Sequence, residues 1–516
     1  SGHKKIPKIN IFSKVRLEKK DQMLTYNLTA TGSDSLYESL YKCIKNDILQ
    51  GKLCAGEKLP SKRSFAKNLG ISVITVENAY GQLSDEGYIY SMPKRGFYVS
   101  DIDMVAARGI NMNGMSQSAD RNISDDNYIY GMESFNAAAS SLAKSSYFAD
   151  FSSNQTDSEI FPFSIWSKTV RSVLNDNQIQ LMINSPCAGI LPLRNAIARY
   201  LRDFRGMQVF SHQIIIGAGT EYLYGLLIQL LGKNLIYGVE NPGYHKIGKI
   251  CKSMDVSYSH VDLDENGVSI HELEEKKIDI IHTSPSHHFP TGIVMPVSRR
   301  YELLGWAAKK KQRYIIEDDY DSELRLSGKP FPTLQSIDVS GKVIYMNTFT
   351  KTLASTVRIS YMVLPEDLAK RFYSELSFYS CTVSNFEQYT LAQFMENGSF
   401  EKHINRLRNY YQNKRDAILK ELKSGSIGKY ITIQEEEAGV HFLMHIQSDC
   451  TETEIVEKAK AGGVKLDPLS RYYIKNTEKH EQNGQENQYE NTYVMNYSSV
   501  NMENIKKVVQ VLSELG

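Results

Sequence analysis

Five short apolar runs between residues 214 and 348 constrain the fold of this chain more than any other feature. They are residues 214–216, 235–239, 278–283, 314–316 and 342–346. A polar or glycine-containing turn follows each run, and helical segments separate them. Short apolar segments that alternate with helices are typical of a buried parallel sheet in an α/β domain. Ligands in such domains bind at the carboxyl ends of the strands, so the residues after each run form the candidate site.

Lys351 lies in the polar segment Asn347–Ala354, which follows the last run. Asp318 follows the run before it, and Arg358 comes seven positions after Lys351. These three residue types suit a pyridoxal 5'-phosphate (PLP) site: the lysine forms the Schiff base, the acid keeps the pyridine nitrogen protonated and the arginine binds the phosphate. Tyr320 lies two residues after Asp318, on the same side of an extended chain, and is predicted to reach the phenolic oxygen of the cofactor. A single lysine in a turn is usually only solvated, so the accompanying residues carry this interpretation.

Two other strand ends add candidates. Ala218, Gly219 and Thr220 open a predicted helix, where backbone N–H groups and a hydroxyl suit a phosphate. Tyr244 follows a Pro-Gly turn and is predicted to stack on a flat ring. The alternatives are an ordinary glycine turn, ordinary packing of Tyr244, and a turn or helix-capping role for Asp318.

The front of the chain differs from the rest in charge. Residues 1–100 contain 16 Lys and Arg against 9 Asp and Glu, a net charge of +7, within a chain whose totals are 60 and 59. The remaining residues therefore carry 44 basic and 50 acidic groups, a net charge of −6. A basic front on a mildly acidic body indicates that the front meets a polyanion.

The pattern of the front predicts a helix-turn-helix with a wing. A first helix is predicted over residues 36–49, with Asp34 as its N-cap. Two short helices follow, over residues 62–68 and 73–84, joined by a turn that contains Gly70. Two strands, residues 88–90 and 96–99, then flank a basic turn. The alternative is a small helical subdomain with no role in DNA binding.

This arrangement predicts DNA contacts. The start of the second short helix is predicted to face base edges in the major groove, through Ser72, Val73 and Thr75. Phosphate contacts are predicted for the start of the first short helix and for the wing, through Ser61, Lys62, Arg63, Lys94 and Arg95.

The length of 516 residues favours two or more domains. Residues 1–22 are interpreted as a leader or a non-native remnant before Met23, and residues 23–100 as the DNA-binding domain. A linker is predicted over 101–146, with one helical turn at 134–142, and an α/β body over 147–516. A small α+β subdomain is predicted from about residue 400.

Composition excludes other classes of protein. No apolar run approaches the ~18 residues of a membrane-spanning helix. The six cysteines are scattered and form no CxxC pair, which argues against a zinc site and favours a reducing cytoplasm. We therefore expect no metal.

Specific motifs resemble known families. The front resembles the winged-helix domain of the GntR family of bacterial regulators, through Leu59–Arg63, Asn78–Tyr80 and Leu83–Ile89. The body resembles the fold-type I PLP enzymes of the aspartate aminotransferase superfamily. That second resemblance rests on Arg358 and on four segments: Asn241–Tyr244, Pro285–Gly292, Glu317–Glu323 and Thr348–Leu353. In this order, the two domains resemble the MocR/GabR subfamily.

The resemblance implies a winged helix fused to a PLP-binding aminotransferase-like domain. It implies Lys351 as the Schiff-base lysine, Asp318 on the pyridine nitrogen, and the residue roles given above for Tyr320, Tyr244 and Arg358. It also places Thr348 and Thr350 near the phosphate. A head-to-tail homodimer is implied, with each winged helix packed on the body of its partner.

The implied function is a bacterial transcriptional regulator that binds operator DNA and senses an amine, an amino acid or PLP itself. An active aminotransferase with an accessory DNA-binding domain is the alternative. A third reading is a DNA-binding protein whose body only dimerises.

Two positions depart from the family pattern. Val73 and Ile74 stand where the GntR family usually has an arginine near the start of the recognition helix. Val494 stands where the subfamily usually has an arginine that pairs with an amino-acid carboxylate. A carboxylate without that bidentate partner binds weakly, so an amino acid held in the usual way is disfavoured as the effector.

Overall fold

The computed structural model describes residues 25–26, 35–101, 147–153, 155–326, 331–435, 439–474 and 490–515. The chain divides into two compact units, residues 1–132 and 133–516. The predicted leader, the helical turn at 134–142 and nearly all of the predicted linker lie outside the described residues.

The first unit contains three helices and a two-stranded antiparallel sheet. These are α1 (Leu36–Leu49), α2 (Lys62–Leu69), α3 (Val73–Asp85), β1 (Ile89–Met92) and β2 (Gly96–Val99). The predicted helix-turn-helix and wing are confirmed, with boundaries that differ by one or two residues.

The caps explain where these helices begin and end. Ser61 and Ser72 accept hydrogen bonds from the amides of Ser64 and Thr75, so α2 and α3 begin where the sequence predicted. Gly70 ends α2 in the left-handed conformation, at φ 67°.

The predicted cap of α1 was wrong. Ser35, not Asp34, is its N-cap, and Ser35 forms a capping box with Glu38. The glutamate three residues after Ser35 decides the position because its carboxylate accepts hydrogen bonds from the amide and the hydroxyl of Ser35.

An eight-stranded sheet is the centre of the second unit. Its strands are β4 (Ile214–Gly217), β5 (Tyr237–Asn241), β6 (Tyr258–Asp264), β7 (Gly267–Val268), β8 (Ile280–Thr283), β9 (Tyr314–Asp318), β10 (Val343–Thr348) and β11 (Ser360–Val363). The order is β4-β11-β10-β9-β8-β5-β6-β7, with β11 and β7 antiparallel to their neighbours and the other paired strands parallel. The predicted buried, mostly parallel sheet is confirmed.

Helices and short 3-10 turns accompany this sheet. The helices are α4 (Phe163–Asp176), α5 (Gln178–Leu181), α6 (Leu191–Arg205), α7 (Thr220–Leu231), α8 (His245–Ser253), α9 (Ile270–Glu275), α10 (Val297–Ala308), α11 (Leu334–Ile337), α12 (Glu366–Glu375), α13 (Asn385–Glu396), α14 (Ser399–Ser424), α15 (Glu452–Ala461) and α16 (Ile505–Ser513). Within the described segments, no helix combines the length and apolar character that crossing a bilayer requires.

A smaller antiparallel sheet lies in the C-terminal part. It consists of β12 (Ile431–Gln434), β13 (His441–Ile446) and β15 (Thr492–Asn496). A second pair joins β3 (Ala149–Asp150) to β14 (Val464–Lys465) in parallel. Phe151, just after β3, is fully buried in the same apolar cluster as Leu407 and Phe442. The first residues of the body therefore fold together with its C-terminal part.

A buried ion pair connects α6 to the centre of the large sheet. Nη2 of Arg205 lies 2.7 Å from Oδ2 of Asp319, and both side chains are at most 1% exposed. Oδ2 of Asp319 also accepts a hydrogen bond from Tyr345. A buried carboxylate is tolerated only with such partners.

We predict that Arg205→Ala lowers the free energy of unfolding by about 3–5 kcal/mol because it leaves the charge of Asp319 unpaired in the core. Arg202→Ala is the matched control: it lies on the same helix, and its side chain is 53% exposed. The free energy of unfolding of Arg202→Ala should stay within about 0.5 kcal/mol of that of the parent protein. Urea unfolding followed by circular dichroism measures both, and equal losses would contradict the prediction.

Candidate functional site

A cavity of about 370 Å³ opens at the carboxyl ends of the parallel strands. Nine of the ten predicted cofactor residues line it: Gly219, Thr220, Tyr244, Asp318, Tyr320, Thr348, Thr350, Lys351 and Arg358. They come from four separate chain segments: residues 219–220, 244, 318–320 and 348–358. Ala218 is the predicted residue that is not part of this lining.

Lys351 is buried, with 9% of the residue exposed, and lies just after β10. Burial lowers the pKa of Lys351 to about 8, although the nearby Asp321 opposes the shift. A desolvated lysine with a lowered pKa is a better nucleophile near neutral pH than a solvated one. Its environment therefore differs from that of the usual solvated lysine.

Asp318 ends β9 and presents a carboxylate to the same cavity. Its side chain is 16% exposed, yet Oδ1 is buried and has no hydrogen-bond partner among the described residues. Burial raises the pKa of Asp318 to about 7, and Asp319 and Asp321 add to that shift. A buried acceptor without a donor is unfavourable, so this atom fits a ligand that brings its own N–H.

Tyr320 reaches the cavity as the sequence predicted, whereas the intervening Asp319 turns away to its ion pair. The hydroxyl of Tyr320 lies 3.4 Å from Nδ1 of His287, and the two rings stack with centroids 6.2 Å apart. Tyr244, at the start of α8, is 49% exposed and contacts Phe289 edge to face, at 6.3 Å. Neither aromatic ring is fully enclosed, so each can contact a bound ring.

Hydroxyl groups and a guanidinium gather at one end of the cavity. The Thr348 and Thr350 hydroxyls lie 2.7 Å apart, and Ser360 donates to Thr348. Nη2 of Arg358 lies 3.0 Å from Oε2 of Glu221. This set of donors suits a phosphate.

Arg358 itself adopts the left-handed conformation, with φ 54°. A non-glycine residue rarely holds this conformation, and such strain concentrates at ligand sites. Here it accompanies a guanidinium that reaches the carbonyl oxygen of Ala218, at 3.4 Å.

The loop before α7 approaches that guanidinium closely. Gly219 has φ 100°, and a Cβ atom there would lie 2.3 Å from Nη2 of Arg358. The amide of Ala218 donates to the hydroxyl of Thr382. That amide is thus already bonded within the protein, and a phosphate role for Ala218 stays a prediction.

Glu221 carries a charge that the sequence reasoning did not use. It contacts Lys246 as well as Arg358. Burial opposes ionisation of Glu221, but the hydrogen bond from Lys246, a backbone hydrogen bond and the charges of Lys246 and Arg358 together outweigh it and lower the pKa to about 2. The anion end of the cavity therefore holds two cations and one carboxylate.

Four buried histidines near the cavity were also missed as functional residues: His282, His287, His288 and His441. His287 and His288 lie inside a motif that we quoted for the family resemblance. His441 lies on β13, far away in sequence, and only the packing of the small sheet brings it to Lys351. No local pattern identifies it.

Val494 occupies the middle of β15, where it is 2% exposed and packs with Leu443 and Leu469. It also borders the cavity. The wall that the subfamily usually furnishes with an arginine is here aliphatic.

The predicted DNA-contacting residues lie at the surface of the first unit. Ser61, Arg63, Ser72, Val73, Lys94 and Arg95 are exposed, and Lys62 and Thr75 are partly exposed. Nζ of Lys62 lies 2.6 Å from Oε1 of Glu77, and the Ser72 hydroxyl lies 2.8 Å from that of Thr75. Arg63, Lys94 and Arg95 are therefore the most accessible of the predicted phosphate contacts.

Two family matches cover the two units. Residues 36–99 match the family "Bacterial regulatory proteins, gntR family", and residues 149–478 match "Aminotransferase class I and II".

Individual relatives match almost the whole chain. This chain is 37% identical over 452 residues to YdeL, an uncharacterized HTH-type transcriptional regulator of Bacillus subtilis (strain 168). The match covers 87% of this chain and 92% of that protein. It is 30% identical over 455 residues to MocR, the probable rhizopine catabolism regulatory protein of Rhizobium meliloti, covering 85% and 87%. The crystal structure of a multiple substrate aminotransferase from Thermococcus profundus superimposes with a TM-score of 0.61 at 25% identity, covering 80% of this chain and 98% of that one.

The aminotransferase match and the fold identify PLP as the cofactor. The cavity fits it on independent grounds. Oδ1 of Asp318 lacks a donor within the described structure, as an acceptor for the pyridine N–H should. Arg358 and the threonine hydroxyls suit the phosphate, and the amine of Lys351 suits the aldehyde.

We predict that Gly219→Ala weakens PLP binding about tenfold or more because its methyl group displaces the guanidinium of Arg358. Gly232→Ala is the matched control: Gly232 lies at the other end of α7 and has a similar φ of 107°, but its added Cβ meets no atom within 4 Å. Both changes impose similar backbone strain, so only the first should affect the cofactor. Absorbance titration of the apo-protein with PLP measures this, and equal affinities would refute the role of the close approach.

Proposed function

Because this chain belongs to the MocR/GabR subfamily of GntR-type regulators, we propose that it controls transcription by coupling an amine reaction at Lys351 to operator binding. The observation that carries the proposal is a GntR-type DNA-binding domain joined in one chain to an aminotransferase-like domain whose cofactor residues converge on one cavity. The regulator works in the bacterial cytoplasm as a head-to-tail homodimer, with each winged helix on the body of its partner.

PLP supplies an aldehyde that condenses with primary amines. Lys351 is the resident amine, and an effector amine competes with it. Because burial lowers the pKa of Lys351 to about 8, part of its population is uncharged and reactive at neutral pH. The same burial makes the released ammonium form of Lys351 less favourable, which limits how readily weak effectors displace it.

The other residues hold and orient. Asp318 would accept the pyridine N–H, the hydroxyl of Tyr320 would contact the phenolic oxygen, and the ring of Tyr244 would cover one face. Arg358 would anchor the phosphate. These residues would hold PLP by its ring and its phosphate, and Lys351 would be the amine that reacts with its aldehyde.

Thr348, Thr350 and the loop residues Gly219 and Thr220 complete the phosphate contacts. The Thr348 hydroxyl receives a hydrogen bond from Ser360 and donates to the carbonyl oxygen of Ile359 at 3.4 Å, so a phosphate oxygen would replace that long bond. Lys246, which pairs with Glu221, adds a positive charge at the same end of the cavity.

Signal transfer requires two arrangements of the dimer with different affinities for the effector. An effector shifts the equilibrium only by its differential affinity for the two. Release of Lys351 alters the contacts of the segment that joins β10 to β11, and that segment carries Thr350 and Arg358 as well. We propose that this segment is where the effector reaction begins to change the body.

On DNA, α3 enters the major groove with Ser72, Val73 and Thr75 towards base edges. Ser61, Lys62, Arg63, Lys94 and Arg95 contact phosphates. Val73 and Ile74 are 43% and 68% exposed, so the start of α3 presents apolar contacts to bases such as the thymine methyl group.

Lys351→Ala tests the regulatory proposal. The variant should lose the Schiff-base absorbance band and the response of operator binding to effector, while keeping its affinity for operator without effector. Paired absorbance and gel-shift measurements check this, with the exposed Lys249→Ala on α8 as a control that changes neither. A Lys351→Ala protein that keeps the Schiff-base band and still changes its operator binding with effector would overturn the proposal.

Arg95→Ala tests the wing. We expect the affinity for DNA to fall by a similar factor on all sequences. The slope of log affinity against log salt concentration should decrease in magnitude by about one, as for loss of one phosphate contact. Lys52→Ala is the control, since Lys52 is exposed and already pairs with Asp47 at 3.1 Å. Fluorescence anisotropy across a salt series measures both, and an unchanged slope for Arg95→Ala would remove the wing from the interface.

An aminotransferase that turns over is the second candidate, because Lys351, Asp318 and Tyr320 are all present in the cavity. Val494 argues against amino acids held in the usual way. Production of keto acid from a panel of amino acids, at a rate independent of DNA, would favour the enzyme.

A further inference from the structure

His441 is the first residue of β13 and borders the same cavity as Lys351. The residue is only 3% exposed. The two side chains are close enough for the charge of Lys351 to help lower the pKa of His441. A buried imidazole next to the reactive amine has no part in the functions assigned so far.

The surroundings of the two ring nitrogens indicate the tautomer of His441. The backbone carbonyl of Pro290 raises the pKa of His441, as an acceptor near a ring N–H does. Nε2 is buried and has no hydrogen-bond partner within the described structure. Because Nε2 has no acceptor, we assign the proton to Nδ1, which leaves Nε2 with a bare lone pair.

This ring cannot easily turn to satisfy Nε2 elsewhere. It packs against His287, with centroids 4.7 Å apart, and edge to face against Phe289, at 5.5 Å. His287 is in turn held by Asp321, through a hydrogen bond of 2.8 Å. Gly439 leaves no room for a side chain beside His287, since a Cβ there would lie 2.4 Å from Cε1 of His287.

His441 also stays uncharged. Burial lowers its pKa well below the ordinary value, and His287, Lys351 and His288 add to the effect, against the Pro290 hydrogen bond. A neutral imidazole with its proton on Nδ1 can only accept a hydrogen bond at Nε2. A buried acceptor without a donor is unfavourable, so a ligand that supplies a donor would be stabilised here.

Nearby cavity residues have already used their donors. The Ser152 hydroxyl donates to Asp150, at 2.6 Å. The Tyr472 hydroxyl donates to Asp467, at 2.5 Å, and Nε2 of His245 lies 3.0 Å from the carbonyl oxygen of Tyr472. A ligand at these residues meets oxygen and nitrogen lone pairs, together with the aliphatic Val494.

We propose that His441 selects the effector by accepting, at Nε2, a hydrogen bond from a second donor group on the effector amine. The favoured class is then primary amines that carry a hydroxyl or a second amino group. A carboxylate would bring another lone pair to an acceptor and is disfavoured. This inference rests on the proposed reaction of effector amines at Lys351.

The test compares four short primary amines on the PLP-loaded full chain: 3-aminopropan-1-ol, 1,3-diaminopropane, β-alanine and n-butylamine. Absorbance follows displacement of the Lys351 band, and each result is divided by the reactivity of the same amine with free PLP. The alcohol or the diamine should act at about tenfold lower concentration than butylamine and β-alanine. The order of the alcohol and the diamine identifies which donor the site takes.

Two substitutions isolate the imidazole. His441→Phe should abolish the preference, whereas His441→Gln should keep part of it because its amide oxygen accepts a hydrogen bond. A preference for β-alanine in the parent protein, or an unchanged preference in His441→Phe, would overturn the inference. If His441→Phe fails to load PLP, the inference is tested by the order of the four amines in the parent protein and by the preference that His441→Gln keeps.

The regulatory proposal has a separate readout. Loss of the absorbance band in Lys351→Ala tests PLP attachment at that residue whatever the amine panel shows. A parent protein that forms the band but responds to none of the four amines would refute the selection by His441 and leave PLP attachment intact.

Discussion

Burial of the large sheet is the constraint on which the site depends. The parallel strands β8, β9 and β10 begin with apolar residues and carry their polar side chains towards their carboxyl ends. Because neighbouring strands are parallel, those ends meet at one edge. Asp318 and Lys351 are 33 residues apart in the chain yet follow the adjacent strands β9 and β10. The antiparallel β11 begins at the same edge and brings in Arg358.

Many ionisable groups lie at one edge of the sheet, and most of the carboxylates there have a cationic or hydrogen-bonding partner. Asp319 has Arg205 and Tyr345, Asp321 has His287, and Glu221 has Lys246 and Arg358. Oδ1 of Asp318 and Oδ1 of Asp319 both lack a donor in the part of the chain that is described, but of the two only Asp318 borders the cavity. Perturbed carboxylates and lysines in a cavity are characteristic of functional sites, and Asp318, which borders the cavity with an unsatisfied oxygen, is the acid expected to meet the cofactor.

The cavity contains two groups of residues with different proposed roles. Asp318, Lys351 and Arg358 are proposed to hold PLP, whose aldehyde reacts with primary amines. His441 and Val494, on the small sheet, are proposed to bear on which amine is accepted.

Much of this protein followed from the sequence alone. The winged helix was predictable because Ser61, Ser72 and Gly70 mark helix ends by local chemistry. The strand ends with Asp318 and Lys351 were predictable because alternating apolar runs imply a parallel sheet and its topology implies one edge. Asp34 was misjudged as a cap because Ser35 and Glu38 compete with it locally. Only the tertiary structure brought His441 to Lys351, joined Phe151 to the C-terminal core and paired Arg205 with Asp319. These contacts depend on packing between segments distant in the chain, and neither periodicity nor motif spacing encodes that packing.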